Sequence, residues 1–177
     1  MQLPGYLTLD ADSAAGQWDI ALRDLEYVLG LDGDRDGVIT WGELRTQTER
    51  VQAYVFARIA LSADGLVCRT APAAPRVDRH SDGAYVVFEF AIECPGDRVP
   101  DMLAYRLFFD LDPTHRGLVK LRHSNTTTTA VLSPDRPDIV IAAAAHGAWH
   151  TFTDYWREGI RHIWVTTLCS WSRCCCL

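Results

Sequence analysis

The order of apolar and polar residues changes along the chain and divides it into segments of different predicted structure. Residues 6–10 alternate in the manner of a β-strand, and residues 17–22 can pair with them. A helical period follows, and it returns from about Trp41 to Ala60. The apolar positions on these two helical faces are Leu22, Leu25, Val28 and Leu29 in the first and Leu44, Val51, Val55 and Ile59 in the second. The pattern therefore predicts a helix, an acidic loop and a second helix at about residues 22–60.

The chain beyond residue 65 has the pattern of short β-strands. Apolar or alternating runs occur at residues 85–92, 103–109, 117–121, 126–132 and 138–141. Turn-forming residues separate these runs at the spacing expected of a small sandwich, and the APAAP sequence at 71–75 indicates a connector. We therefore predict an α+β fold for one domain over residues 1–148, with a β-sandwich-like antiparallel body and the helix-loop-helix near its N-terminus.

The C-terminal part of the chain differs from both of these segments. Residues 149–165 are rich in Trp, Tyr and Phe at a spacing compatible with a helix. Aromatic density of this kind is typical of a membrane interface, although packing against the domain is the commoner explanation. Four of the six cysteines lie in the final segment, 166–177, which follows no recognisable pattern and resembles translation in a shifted reading frame.

Composition and charge exclude several classes of protein. The net charge is −6 and no basic run is present, which argues against nucleic-acid binding because phosphate contacts require clustered Lys and Arg. No apolar stretch is long enough to cross a bilayer, and the first residues lack the pattern of a signal peptide. No nucleophile elbow, Walker loop or dinucleotide fingerprint occurs, so the sequence predicts no enzyme.

The acidic loop matches the twelve-residue calcium loop of an EF-hand. Calcium takes about six to eight oxygen ligands, and an EF-hand supplies them from loop positions 1, 3, 5, 7, 9 and 12. In this chain those positions hold Asp32, Asp34, Asp36, Val38, Thr40 and Glu43. Val38 is expected to use its backbone carbonyl, and Glu43 both carboxylate oxygens. Gly37 occupies position 6, where the sharp turn requires a positive φ that glycine adopts readily. We therefore predict that the segment at about 22–60 is a single EF-hand helix-loop-helix that binds Ca2+.

The alternative interpretation of this loop is an ordinary surface turn rich in Asp and Gly. Four acidic residues so close together repel one another unless a cation lies among them, which favours the calcium site. A second EF-hand is missing, because His115 occupies the glycine position of the sequence 110–117 and no Glu closes it. We interpret that stretch as a turn, and the lone calcium loop as a structural site. A hydrolase stabilised by calcium is a rival reading, which requires a pocket with a nucleophile and a base.

Other candidate sites are weaker. His146 and His150 have the spacing of zinc ligands, but no acidic residue lies beside them and a surface pair explains them better. The spacing of Cys68 and Cys94 is compatible equally with one disulfide and with two buried thiols.

Several sequences in the chain resemble one known family. They are WDIALRDL at 18–25, ITWGEL at 39–44, LFFDLD at 107–112, HRG at 115–117 and YWREGIRHIW at 155–164. Together they resemble the extracytoplasmic N-terminal region of HupE/UreJ-type bacterial membrane proteins, over roughly residues 5–165. In that family, the last of these sequences leads into the first transmembrane helix.

The resemblance implies a function that this chain alone does not carry. Members of the family continue into a bundle of transmembrane helices associated with nickel uptake or metalloenzyme maturation, whereas this chain departs from the pattern at Thr166. The expectation is therefore a fragment of a membrane protein, whose soluble part lies on the periplasmic side. An oxidising periplasm would favour a disulfide between Cys68 and Cys94.

Overall fold

The computed structural model describes residues 5–123 and 126–141, which form an α+β fold with two β-sheets in a sandwich-like arrangement. The helices are α1 (Leu22–Leu29), α2 (Trp41–Thr46) and α3 (Thr48–Phe56). The strands are β1 (Gly5–Asp10), β2 (Ala15–Ala21), β3 (Ile59–Ala63), β4 (Leu66–Val67), β5 (Arg69–Pro72), β6 (Arg76–His80), β7 (Gly83–Glu93), β8 (Met102–Tyr105), β9 (Gly117–His123), β10 (Thr126–Leu132) and β11 (Asp138–Val140). The predicted fold class is confirmed; the predicted aromatic-rich helix at 149–165 and the Cys-rich tail at 166–177 lie outside the described residues.

The larger sheet contains seven strands and the smaller one four. The larger sheet has the order β10-β9-β1-β2-β7-β5, with β6 also paired to β7, and the smaller one has the order β11-β8-β3-β4. Neighbouring strands are antiparallel except β1 and β9, which are parallel and place Gly5 opposite Gly117. The body is therefore mixed, because β9 follows β8 of the smaller sheet and is not joined to β1 by a hairpin.

An aromatic cluster fills the core. The indole of Trp18 is fully buried, with ring centroids 5.6 Å from Tyr105 and 6.0 Å from Phe56. The Tyr105 ring lies over the backbone of β1 and β9, where a Cβ added to Gly117 would be 2.7 Å from Cε1 of Tyr105. Glycine at that strand position thus makes room for the ring that joins the layers.

Two predicted elements are shorter than expected. The helix predicted from Trp41 to Ala60 is two helices that meet at Gln47, and the residues from Ile59 onward form β3. Buried residues alternate with more exposed ones along β3, and its pairing with β8 outweighs the helical period. The strand predicted over 103–109 ends at Tyr105, because the chain turns after it: Phe108 has φ +61°, and its carbonyl accepts from the N–H groups of Leu111 at 3.0 Å and Asp112 at 2.8 Å.

None of the helices within 5–123 and 126–141 is long and apolar enough to cross a membrane.

Candidate metal centre

The acidic loop lies between α1 and α2, and the residues at both of its ends fix where these helices stop and start. Gly30 ends α1 in the left-handed conformation, at φ +62°, and its N–H donates to the Glu26 carbonyl at 2.8 Å. Thr40 begins α2 through a reciprocal capping box with Glu43. The predicted helix-loop-helix is therefore present, with a short second helix.

Three carboxylates converge inside this loop. Asp32, Asp34 and Asp36 each offer one oxygen, and these oxygens all lie within 4.8 Å of one another. Asp34 and Asp36 are exposed and Asp32 is partly buried, so a metal ion could reach them directly from solvent. Residues 32–37 form bends and no strand, so the turning of the backbone brings the three carboxylates together.

Backbone N–H groups hold these carboxylates in place. Asp32 accepts from the N–H of Arg35 at 2.7 Å through Oδ1 and from that of Gly37 at 2.9 Å through Oδ2. Asp36 Oδ1 accepts from the Val38 N–H at 2.7 Å. Gly37 has φ +85°, as predicted from the requirement for a sharp turn at position 6. The loop is thus folded around its carboxylates.

The electrostatics of Asp34 reflect the crowding of negative charge. A hydrogen bond from the backbone of Asp36 acts to lower the pKa of Asp34, but the net direction of the pKa is upward. The upward contributions include the negative charges of Asp36 and Glu43. A bound cation would lower the pKa of Asp34 again, because it favours the charged form of every carboxylate around it.

The carboxylate of Glu43 joins the start of the loop to its end. Its Oε1 accepts from the Gly33 N–H at 2.7 Å, and its Oε2 accepts from the N–H of Thr40 at 2.9 Å and from the Thr40 hydroxyl at 2.7 Å. Hydrogen bonds from the Thr40 backbone and hydroxyl and from the Gly33 backbone lower the pKa of Glu43 to about 2. Glu43 therefore stays ionised at neutral pH, which is the state that a calcium ligand requires.

The predicted ligands do not all lie in one group. Among the described residues, the cluster of converging oxygens consists of the three Asp side chains, and Glu43 is held by Gly33 and Thr40 instead. The Val38 side chain is 60% exposed, whereas Ile39 packs against the core.

Two further residues at this site were missed by the sequence reasoning. Glu26 on α1 accepts from the backbone N–H of Asp32 at 2.7 Å, and Gln47, between α2 and α3, donates to the Leu31 carbonyl at 3.2 Å. Neither residue belongs to the twelve-residue motif, and a single polar residue four or six positions from a loop carries no signal of its own in the sequence.

The second acidic stretch, at residues 110–117, is a turn, as interpreted from the sequence. Asp112 accepts from the Thr114 N–H and hydroxyl, both at 2.7 Å, and these bonds lower its pKa. His115 is buried, and its Nε2 lies 3.2 Å from the Tyr105 hydroxyl. The histidines at 146 and 150 lie outside the described residues.

The disulfide left open by the spacing of the cysteines is formed. Cys68 and Cys94 are joined, with their Cα atoms 4.2 Å apart.

The chain matches no known family model, and its sequence has no significant similarity to a characterised protein.

Proposed function

We propose that the chain binds one calcium ion in the loop from Asp32 to Glu43, and that the ion has a structural role. The observation that carries this proposal is the convergence of three carboxylate oxygens within 4.8 Å at loop positions 1, 3 and 5. Three like charges this close repel one another, and a divalent cation between them turns that repulsion into attraction.

The chemistry of the donors fits calcium. The side chains at loop positions 1, 3, 5, 9 and 12 are all oxygen donors, which is the ligand type that calcium takes, and Glu43 at position 12 is ionised. Asp32, Asp34 and Asp36 would hold the ion directly, with the Val38 carbonyl and Thr40 completing one side. Glu43 would add its carboxylate by exchanging its hydrogen bonds to Gly33 and Thr40 for the metal.

The position of the loop supports a structural role. Leu31 and Leu44 flank the loop, and both are buried in the same hydrophobic core, at 0% and 1% exposure. An ion that ties these two ends together stabilises the folded state by mass action, by about 2.7 kcal/mol when free calcium is one hundred times the dissociation constant.

A calcium titration of three proteins tests the proposal: the wild type, Glu43→Gln and the matched control Glu49→Gln. Glu49 lies on the exposed surface of α3, so its substitution changes the net charge equally without touching the loop. Terbium luminescence sensitised by Trp41, together with calcium competition, reports binding. We expect the wild type and Glu49→Gln to bind alike, Glu43→Gln to bind at least tenfold more weakly, and calcium to raise the melting temperature. Equal responses of wild type and Glu43→Gln at millimolar calcium would refute the proposal.

A second proposal concerns the compartment. We infer that the domain belongs to the extracytoplasmic side of a membrane, as the resemblance to HupE/UreJ-type proteins implies, and the disulfide between Cys68 and Cys94 supports this because such bonds persist in oxidising compartments. Thiol alkylation of protein from fractionated bacterial cells tests it. We expect Cys68 and Cys94 to resist alkylation until a reductant is added, and to do so in the periplasmic or membrane fraction. Ready alkylation of both thiols without reductant would contradict it.

A further inference from the structure

Two side chains outside the twelve-residue loop form hydrogen bonds to the backbone at its start. Glu26 lies on α1, and its Oε2 accepts from the backbone N–H groups of both Leu31 and Asp32, the latter at 2.7 Å. Gln47 lies where α2 meets α3, and its Nε2 donates to the carbonyls of Leu31 at 3.2 Å and Gly30 at 3.4 Å. The short segment from Gly30 to Asp32 is therefore bonded from the helix before the loop and from the helices after it.

The contacts leave this segment little freedom. Both backbone polar groups of Leu31 are occupied, the N–H by Glu26 and the carbonyl by Gln47, while the Leu31 side chain is fully buried. The bonds to Glu26 are made to a carboxylate, and hydrogen bonds to an ionised acceptor are roughly twice as strong as neutral ones.

The orientation of the Gln47 amide follows from a third contact. Its Oε1 accepts from the Arg50 guanidinium at 2.9 Å, and because Arg50 can only donate, the amide nitrogen must face the loop. The break between α2 and α3 thus places the amide nitrogen of Gln47 opposite the start of the loop. A continuous helix through residue 47 would point this side chain in a different direction.

We propose that Glu26 and Gln47 are positioning residues that hold the start of the loop in its calcium-binding conformation before the ion arrives. Asp32 is the first predicted ligand. Glu26 fixes the backbone of this residue, and the Asp32 side chain would bind the ion. The proposal rests on the calcium-binding function proposed above. Residues that orient metal ligands typically change metal affinity by about 10- to 100-fold when they are replaced.

The test compares calcium affinity in the full chain for the wild type, Glu26→Gln, Gln47→Ala and the control Glu49→Gln. Glu26→Gln keeps the shape of the side chain and removes its charge, and Glu49→Gln removes an equal charge away from the loop. Dissociation constants are measured by calcium titration well below the melting temperature, so that a general loss of stability does not affect them. Hydrogen exchange of the Leu31 and Asp32 amides is measured in the metal-free proteins.

The expected result is a dissociation constant raised about tenfold or more in Glu26→Gln and in Gln47→Ala, against less than about twofold in Glu49→Gln. The Leu31 and Asp32 amides should exchange faster in metal-free Glu26→Gln than in the wild type. A Glu26→Gln protein that binds calcium as tightly as Glu49→Gln would overturn the positioning role while leaving calcium binding intact. A wild type that binds no calcium would refute the proposed function, and this inference with it.

Discussion

The disulfide between Cys68 and Cys94 offers a perturbation whose effect can be worked out from the fold. In the pairing of β5 with β7, Arg69 lies opposite Glu93, so the same register places Cys68 opposite Cys94 just beyond the paired residues. The bond therefore joins two segments that the sheet already brings together, and its main effect should be on the unfolded chain.

The magnitude follows from the length of the loop that the bond closes. The two cysteines are 26 residues apart in the sequence. In the chain-entropy description, a loop of that length removes about 12 cal/mol/K from the unfolded state, which corresponds to about 3.5 kcal/mol at 25 °C. For a protein of this size, that change corresponds to a melting temperature lower by roughly 7–14 °C when the bond is absent.

Urea unfolding measures this difference directly. All proteins carry Ser at the four cysteines of the tail, Cys169, Cys174, Cys175 and Cys176, so that only the bonded pair can respond. The oxidised parent is compared with the same protein after reduction and with the variant in which Cys68 and Cys94 are both Ala. We expect reduction to lower the free energy of unfolding by about 3.5 kcal/mol and the double variant to be unaffected by reductant.

Two results would refute this reasoning. A loss below about 1 kcal/mol on reduction would mean that the unfolded chain is not constrained as the loop length requires. A double variant that still responds to reductant would show that the measured effect does not come from this bond.

Two further predictions concern the core. Burial lowers the pKa of His115 to about 4 from its ordinary value of 6.5, so the unfolded chain binds the proton first as the pH falls. The stability that neutral His115 confers is complete above pH 6.5 and is lost as the pH falls from about 6.5 to 4. The free energy of unfolding decreases by about 3 kcal/mol over that range. A His115→Gln variant should therefore show a smaller fall in its urea midpoint between these pH values. Gly117→Ala should cost about 1–3 kcal/mol, because the new methyl group meets the Tyr105 ring, and a double-mutant cycle with Tyr105→Leu should recover part of that loss; strict additivity would contradict the clash.

The parts of the molecule that the sequence predicts well are those whose rules are local. Gly37 and the alternate Asp residues are specified within twelve positions, and the structure places three carboxylates together and a positive φ at Gly37. The strands β1, β2, β7, β9 and β10 have clear alternating or β-branched sequences and were predicted within a few residues. In these segments, the local preference and the tertiary environment agree.

The parts that the sequence does not predict depend on partners far away along the chain. β3 continues a helical pattern but pairs with β8, and the exposed strand β6 pairs along β7 although its own residues give no strand signal. The parallel register of β1 with β9 joins residues more than a hundred positions apart. Glu26 and Gln47 are likewise not predicted from the sequence, because they meet at the start of the loop only in the folded chain.

The way in which the loop is anchored bears on what calcium would do. In a paired sensor, binding changes the angle between helices and exposes an apolar groove. Here Leu31 and Leu44 are buried on either side of the loop, and Ile39 within it packs against the same core. Moving α1 relative to α2 would uncover these residues, at about 1.5–3 kcal/mol for each fully exposed side chain. A single ion bound to a loop anchored in this way should therefore add stability to the existing arrangement of the helices rather than open it.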